Sequence, residues 1–96
     1  MKLLGRQRIV DFINKHPDCK KAIEAFVFEI ESSCWSSPHD IKAHYPKASI
    51  IGNQNVVFNI CGNKYRVWVK MIFINDVALV MNIGTHQEYD KWEIKK

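Results

Sequence analysis

Near residue 47 the chain changes grammar, and that change limits the folds open to it. Before this point apolar residues recur at helical spacing. After it they gather in short runs rich in Val, Ile and aromatics. Ile9, Val10 and Ile13 suit a short first helix that closes before Pro17. From Asp18 to Cys34, the residues Cys19, Ile23, Phe26, Val27, Ile30 and Cys34 make one buried stripe, with Lys20, Lys21, Glu24, Glu29 and Glu31 covering the solvent side. Ser37-Pro38-His39-Asp40 supplies a cap, a first-turn proline and an early acid, so a short helix runs to about Tyr45 before Pro46. Then Ser49 to Gly52, Asn55 to Cys61, Lys64 to Ile74 and Val77 to Ile83 read as strands. The links Asn53-Gln54, Gly62-Asn63 and Asn75-Asp76 are so short that they imply hairpins, hence an antiparallel meander. Helices first and a meander after is an α+β layout, with helices packed on one sheet face.

At 96 residues the chain is a single domain, 1–96, able to bury a core without disulfide or metal staples. Cys19, Cys34 and Cys61 are odd in number and show no ligand spacing. That pattern indicates free, mostly buried thiols in a reducing compartment rather than a zinc site. The stretch from Met1 to Asp11 lacks a signal-peptide apolar run, and no segment is long enough to span a membrane, so a cytoplasmic protein is expected. The net charge of +4 favours an anionic partner.

Alternation along the longest strand divides its residues between two faces. Tyr65, Val67, Val69, Met71 and Phe73 should meet the helices, while Arg66, Trp68 and Lys70 point the other way, beside Val57 and Asn59 of the neighbouring strand. Two cations flanking a tryptophan can grip phosphates while the ring stacks on a base. The plainer reading is a solvated face with one half-covered tryptophan. Hairpin geometry brings Arg66 near the far end of the last strand, where Gly84-Thr85-His86-Gln87-Glu88-Tyr89-Asp90-Lys91 follows. Thr85 with Glu88 forms a capping box, so a short helix starts there with a position suited to anions.

An Arg, a His, a Tyr and a Lys at one end of a sheet could together cleave RNA without a metal. The ribose 2′-OH attacks its own phosphate once a base removes its proton, cations stabilise the pentavalent phosphate, and an acid protonates the leaving oxygen. Arg66 is the candidate phosphate clamp. His86 is the candidate proton shuttle, since imidazole ordinarily titrates near about 6.5. Tyr89 is placed to stack on a base or to bond the 2′-oxygen, and Lys64 and Lys91 to hold flanking phosphates. Each has a duller role: His86 as a surface residue, Tyr89 as a ring packed on the sheet, Asp90 orienting His86 or pairing with Lys91. His16, His39 and His44 read as surface or capping residues, Trp35 as closing the core, and Lys95 and Lys96 as a solvated tail.

Phe58-Asn59-Ile60 with Gly62-Asn63-Lys64-Tyr65-Arg66-Val67, followed later by the run from Gly84 to Lys91, resembles the HigB family of bacterial toxins. Asp40-Ile41-Lys42 and Tyr45-Pro46-Lys47-Ala48 fit the same pattern, and the resemblance runs from about residue 35 to 91. It implies a RelE-like fold, with N-terminal helices on a curved antiparallel sheet of about four strands and a short C-terminal helix. It also implies an mRNA interferase without cofactor or metal, cutting ribosome-bound mRNA and held by a HigA-type helix-turn-helix antitoxin. By position it makes Arg66, His86 and Tyr89 catalytic, and Lys64, Lys70 and Lys91 RNA contacts. Asn59 and Trp68 join the RNA face, and Asp90 is the candidate orienting residue. Two readings of other classes stand beside this one. One is a non-catalytic module gripping RNA or protein, and the other is a relative of the same fold directed at gyrase.

Overall fold

The computed structural model describes residues 1–52 and 54–94. Asn53, in the first expected hairpin link, and the expected tail residues Lys95 and Lys96 lie outside the described residues. Strand β1 (Lys2–Leu4) leads into α1 (Arg6–Lys15), a 3-10 turn (Pro17–Cys19), α2 (Lys20–Ser32) and α3 (Pro38–His44). Then come β2 (Ser49–Ile51), β3 (Asn55–Ile60), β4 (Tyr65–Ile72), a 3-10 turn (Phe73–Asn75), β5 (Val77–Thr85) and α4 (His86–Tyr89). The α+β class follows from the sequence pattern as expected, and the C-terminal helix is present.

Ile23, Phe26 and Ile30 form the buried stripe of α2, and Ile9 and Phe12 that of α1. Pro38 opens α3, but Ser37 makes no side-chain cap. Asp40 reaches back instead, accepting from the Ser36 N–H at 2.9 Å and its hydroxyl at 3.0 Å. Those bonds hold the Asp40 carboxyl below its ordinary range, the backbone N–H of Ser36 contributing most. Trp35 closes the core beside Phe58 and Tyr45, as its position predicted.

The sheet order is β1-β5-β4-β3-β2, with consecutive strands of the meander antiparallel. It carries a fifth strand that periodicity did not reveal: β1 runs parallel to β5, pairing Lys2 with Val77 and Leu4 with Leu79. Three residues are too few to show alternation, and this pairing spans most of the chain. The Met1 amino group helps hold the strand by donating to carbonyls at the end of α2, including Ser33 at 3.0 Å. Gly5 then turns the chain at φ 85°, where an added Cβ would sit 2.9 Å from the Val80 carbonyl oxygen.

Strand bounds shift by one residue at Gly52, Cys61 and Lys64, which fall just outside their strands, and by two residues at two further places. β4 stops at Ile72 because Phe73 to Asn75 wind into a turn, leaving Ile74 92% exposed and Phe73 still packed on the core. β5 continues through Gly84 and Thr85, so the glycine placed just past the expected strand lies within the ladder. Buried Tyr65, Val67, Val69 and Met71 alternate with half-buried Arg66, Trp68, Lys70 and Ile72, as expected. The thiols follow the expectation only in part. Cys19 is buried, and burial pushes its pKa up, whereas Cys34 and Cys61 are exposed because they sit past a helix end and in a tight turn.

Phe58 has no exposed surface and meets the rings of Phe26, Trp35 and Tyr45. Phe58→Ala should cost about 3–5 kcal/mol of stability. In urea unfolding it should appear as a lower midpoint with an unchanged slope.

Candidate nucleic-acid interface on the open sheet face

The face of the sheet opposite the helices carries Asn59, Arg66 and Gly84 in one cross-strand row, and Val57 and Trp68 in the next. Past Thr85 the chain folds back over this face. The capping box closes as expected: Thr85 Oγ1 accepts from the Glu88 N–H at 3.2 Å, and the Glu88 carboxylate accepts from the Thr85 N–H at 3.0 Å. That backbone bond lowers the Glu88 carboxyl below its ordinary value of 4.5. The expected anion position at this helix start is therefore occupied from within. The His86 N–H goes to the Lys64 carbonyl at 3.3 Å, and a single helical turn adds little dipole.

The return is anchored by a residue whose role the sequence did not disclose. Trp92 lies 6.4 Å from Trp68, centroid to centroid, and meets Tyr89 edge-on at 5.6 Å. Its ring has room because position 84 has no side chain. A Cβ there would stand 3.1 Å from Trp92 Cζ2 and 3.2 Å from Glu88 Cβ. A glycine within a strand is the available signal for such a close approach. Trp68 is held in turn, its Nε1 donating to Asn55 Oδ1 at 3.0 Å. Its ring is thus part of a packed aromatic row rather than a free platform.

Arg66 stands at the open end of that row. Its Cζ is 5.8 Å from the centroid of the Tyr89 ring, and Nη1 donates to the carbonyls of Asn63 at 2.7 Å and Tyr65 at 3.3 Å. Both acceptors are neutral, and among the described residues no carboxylate pairs with it. A half-buried guanidinium on a ring, without a counter-charge, is suited to a bidentate oxyanion. Asn59, its cross-strand neighbour, donates to Asn63 Oδ1 at 3.2 Å. His86 is exposed two residues past Gly84, the register partner of Arg66.

The other expected residues divide. Lys64 donates to Asp18 at 2.6 Å, and the Tyr65 hydroxyl donates to the same carboxylate at 3.0 Å, which places Lys64 in a latch on the helical side. Lys70 lies on the Arg66 face but four positions along, about 13 Å away at strand rise. Lys91 is exposed just after α4. Asp90 donates its backbone N–H to the His86 carbonyl at 3.3 Å, and among the described residues no ion pair involves Asp90. His16 packs against Phe12 and Tyr65, and His44 stacks on Tyr45 beside Glu29. No described helix is long and apolar enough to cross a membrane.

A family model described as a RelE-like toxic component of a toxin-antitoxin system, HigB_toxin, matches residues 19–92. The "mRNA interferase toxin HigB" of Escherichia coli K12 is 27% identical over 92 residues, covering 94% of this chain and 88% of its own length. The "mRNA interferase HigB" of Shigella flexneri matches to the same extent, and that of Escherichia coli O6:H1 is 25% identical over 93 residues, covering 95% and 90%.

Two consequences can be measured. Gly84→Ala should push the Trp92 ring off the sheet at a cost of about 1–3 kcal/mol while β5 stays paired. Red-shifted tryptophan emission would record the displacement, and an unchanged spectrum would count against the packing described. The Asp18 latch sets a pH dependence. Its hydrogen bond from Lys64 lowers the Asp18 carboxyl below its ordinary value of 3.8, and the same bond raises Lys64. A depressed carboxyl stabilises the fold above its unfolded value and loses that contribution as pH falls through the folded one. Wild type should therefore lose more stability than Asp18→Asn as pH falls below about 4.

Proposed function

From the premise that this chain belongs to the HigB family of RelE-like toxins, we propose that it is an endoribonuclease cutting ribosome-bound mRNA by metal-independent attack of the 2′-OH. The observation that carries this reading is the Arg66 guanidinium, laid on the Tyr89 ring with no carboxylate partner among the described residues. In that state it can receive the two equatorial oxygens of a scissile phosphate. Charge that builds on those oxygens in the pentavalent transition state strengthens the pair, so the arginine lowers the barrier as well as binding.

His86 moves the proton in this mechanism. It is exposed, one position past the cap residue, and its backbone is held by the carbonyl of Lys64, the residue before β4, so the imidazole is presented from a fixed base. Tyr89 sets its ring against the guanidinium, 5.8 Å from centroid to Cζ, and offers its hydroxyl to the ribose. Lys70 and Lys91 attract the flanking backbone, Asn59 and Trp68 complete the face, and Lys64 contributes to the positive field while pinned to Asp18. Asp90 orients His86 once RNA is bound. The partner is an antitoxin of the HigA helix-turn-helix type, and toxin and target meet in the cytoplasm.

Induced without antitoxin, the wild-type protein should arrest growth and leave new 5′ ends in mRNA, detected by primer extension. Arg66→Ala and His86→Gln should each reduce cleavage by about 100- to 10,000-fold, the range of one acid–base or electrostatic contribution. Full toxicity and full cleavage in both folded variants would sink this assignment. Arrest without new ends would instead indicate binding without catalysis.

A further inference from the structure

A cleft of about 380 Å³ opens where β2 stops short of the end of β3. β2 pairs with Asn55, Val56 and Val57, and among the described residues no strand lies beside this edge of β3 beyond Val57. The loop after α3 forms the opposite wall. It is preformed: Lys42 Nζ donates to the carbonyls of Pro46 at 2.6 Å and Ala48 at 2.8 Å. The Tyr45 ring stands edge-on to Phe58 at 5.2 Å, and its hydroxyl is engaged by Glu29. Half-buried Tyr45 and exposed Pro46 thus line one side of a slot, with the Phe58 ring sealed beneath them, and Asn59, Asn63 and Lys47 also line it.

Its neighbour gives this slot a purpose. Asn59 pairs across the strands with Arg66, and the backbone carbonyl of Asn63 accepts from the Arg66 guanidinium at 2.7 Å. The same two residues therefore border both the phosphate clamp and the cleft. A slot with one aromatic wall, a pair of amides and one cation beside a phosphate site has the chemistry of a nucleobase pocket. The Tyr45 ring shields the base from water, the amides exchange hydrogen bonds with a base edge, and the cation meets the adjoining phosphate. We propose that the cleft between the Tyr45–Ala48 loop and the β3 edge binds the base of the nucleotide next to the phosphate on Arg66. Asn59 and Asn63 read its edge, and Lys47 holds its phosphate. The proposal rests on the ribonuclease reading and adds to it the place where sequence preference is set.

Two measurements test it. The first follows the side-chain amide NMR signals of Asn59 and Asn63 while folded His86→Gln protein is titrated with nucleoside monophosphates or with inorganic phosphate. The nucleotides should shift both amides in a base-dependent way, and inorganic phosphate should not. The second maps mRNA 5′ ends after induction of wild type, Asn63→Ala and Lys47→Ala. Asn63→Ala keeps the backbone carbonyl that positions Arg66. It should cut the favoured sites about tenfold less and admit new ones, the loss expected of one base contact. Unmoved amides together with unchanged cleavage sites would overturn the proposal. So would amides that respond to the antitoxin but to no nucleotide. Base-dependent shifts in a protein that cleaves no RNA would uphold the pocket while rejecting the nuclease.

Discussion

Strand β4 is the constraint on which the rest of the molecule depends. Its alternate side chains serve two environments: Tyr65, Val67, Val69 and Met71 are fully buried beneath the helices, and Arg66, Trp68 and Lys70 face outward. A slip of one residue in its pairing would turn the apolar set to solvent and bury the cations, so the register is set by burial itself. Because β4 lies between β3 and β5, that register also decides which residues of both neighbours stand beside Arg66. Asn59 and Gly84 arrive there as its partners. The irregularity between Trp68 and Val69 adds a residue to β5 and lets the outer end of the ladder follow its own line.

The open face is not left bare. Gly84 omits a side chain where Trp92 needs space, Trp92 covers Trp68, and the single turn of α4 brings Tyr89 under the Arg66 guanidinium. The capping box gives the chain its sharp change of direction after β5. Folding the tail back buries aromatic surface that water would otherwise meet, and it stiffens the surroundings of Arg66.

Charge is distributed with the same economy. Lys64 and Arg66 are two residues apart, on opposite faces. Lys64 is neutralised by Asp18, which also takes the Tyr65 hydroxyl, and the three groups lock the turn between α1 and α2 to the sheet. Burial, more than any other cause, pushes the Tyr65 hydroxyl up. Among the described residues Arg66 meets only neutral partners. The two cations look equivalent in sequence, yet one closes the fold and the other, under the proposed function, meets the phosphate.

Local patterns determined the fold class. The 3.6-residue stripe of α2, the alternation of β4, the short hairpin links and the Thr85–Glu88 box depend on residues close in the chain, so they could be read directly. They were enough to put Arg66 opposite the end of β5, near His86. Tertiary structure decided what depends on contacts between distant residues. A parallel edge strand of three residues, the pairing of Lys64 with Asp18, the approach of Trp92 to Gly84 and the cleft beside β3 leave no period in the sequence. Each arises from long-range packing, whose outcome depends on the shape of the whole core rather than on any one segment.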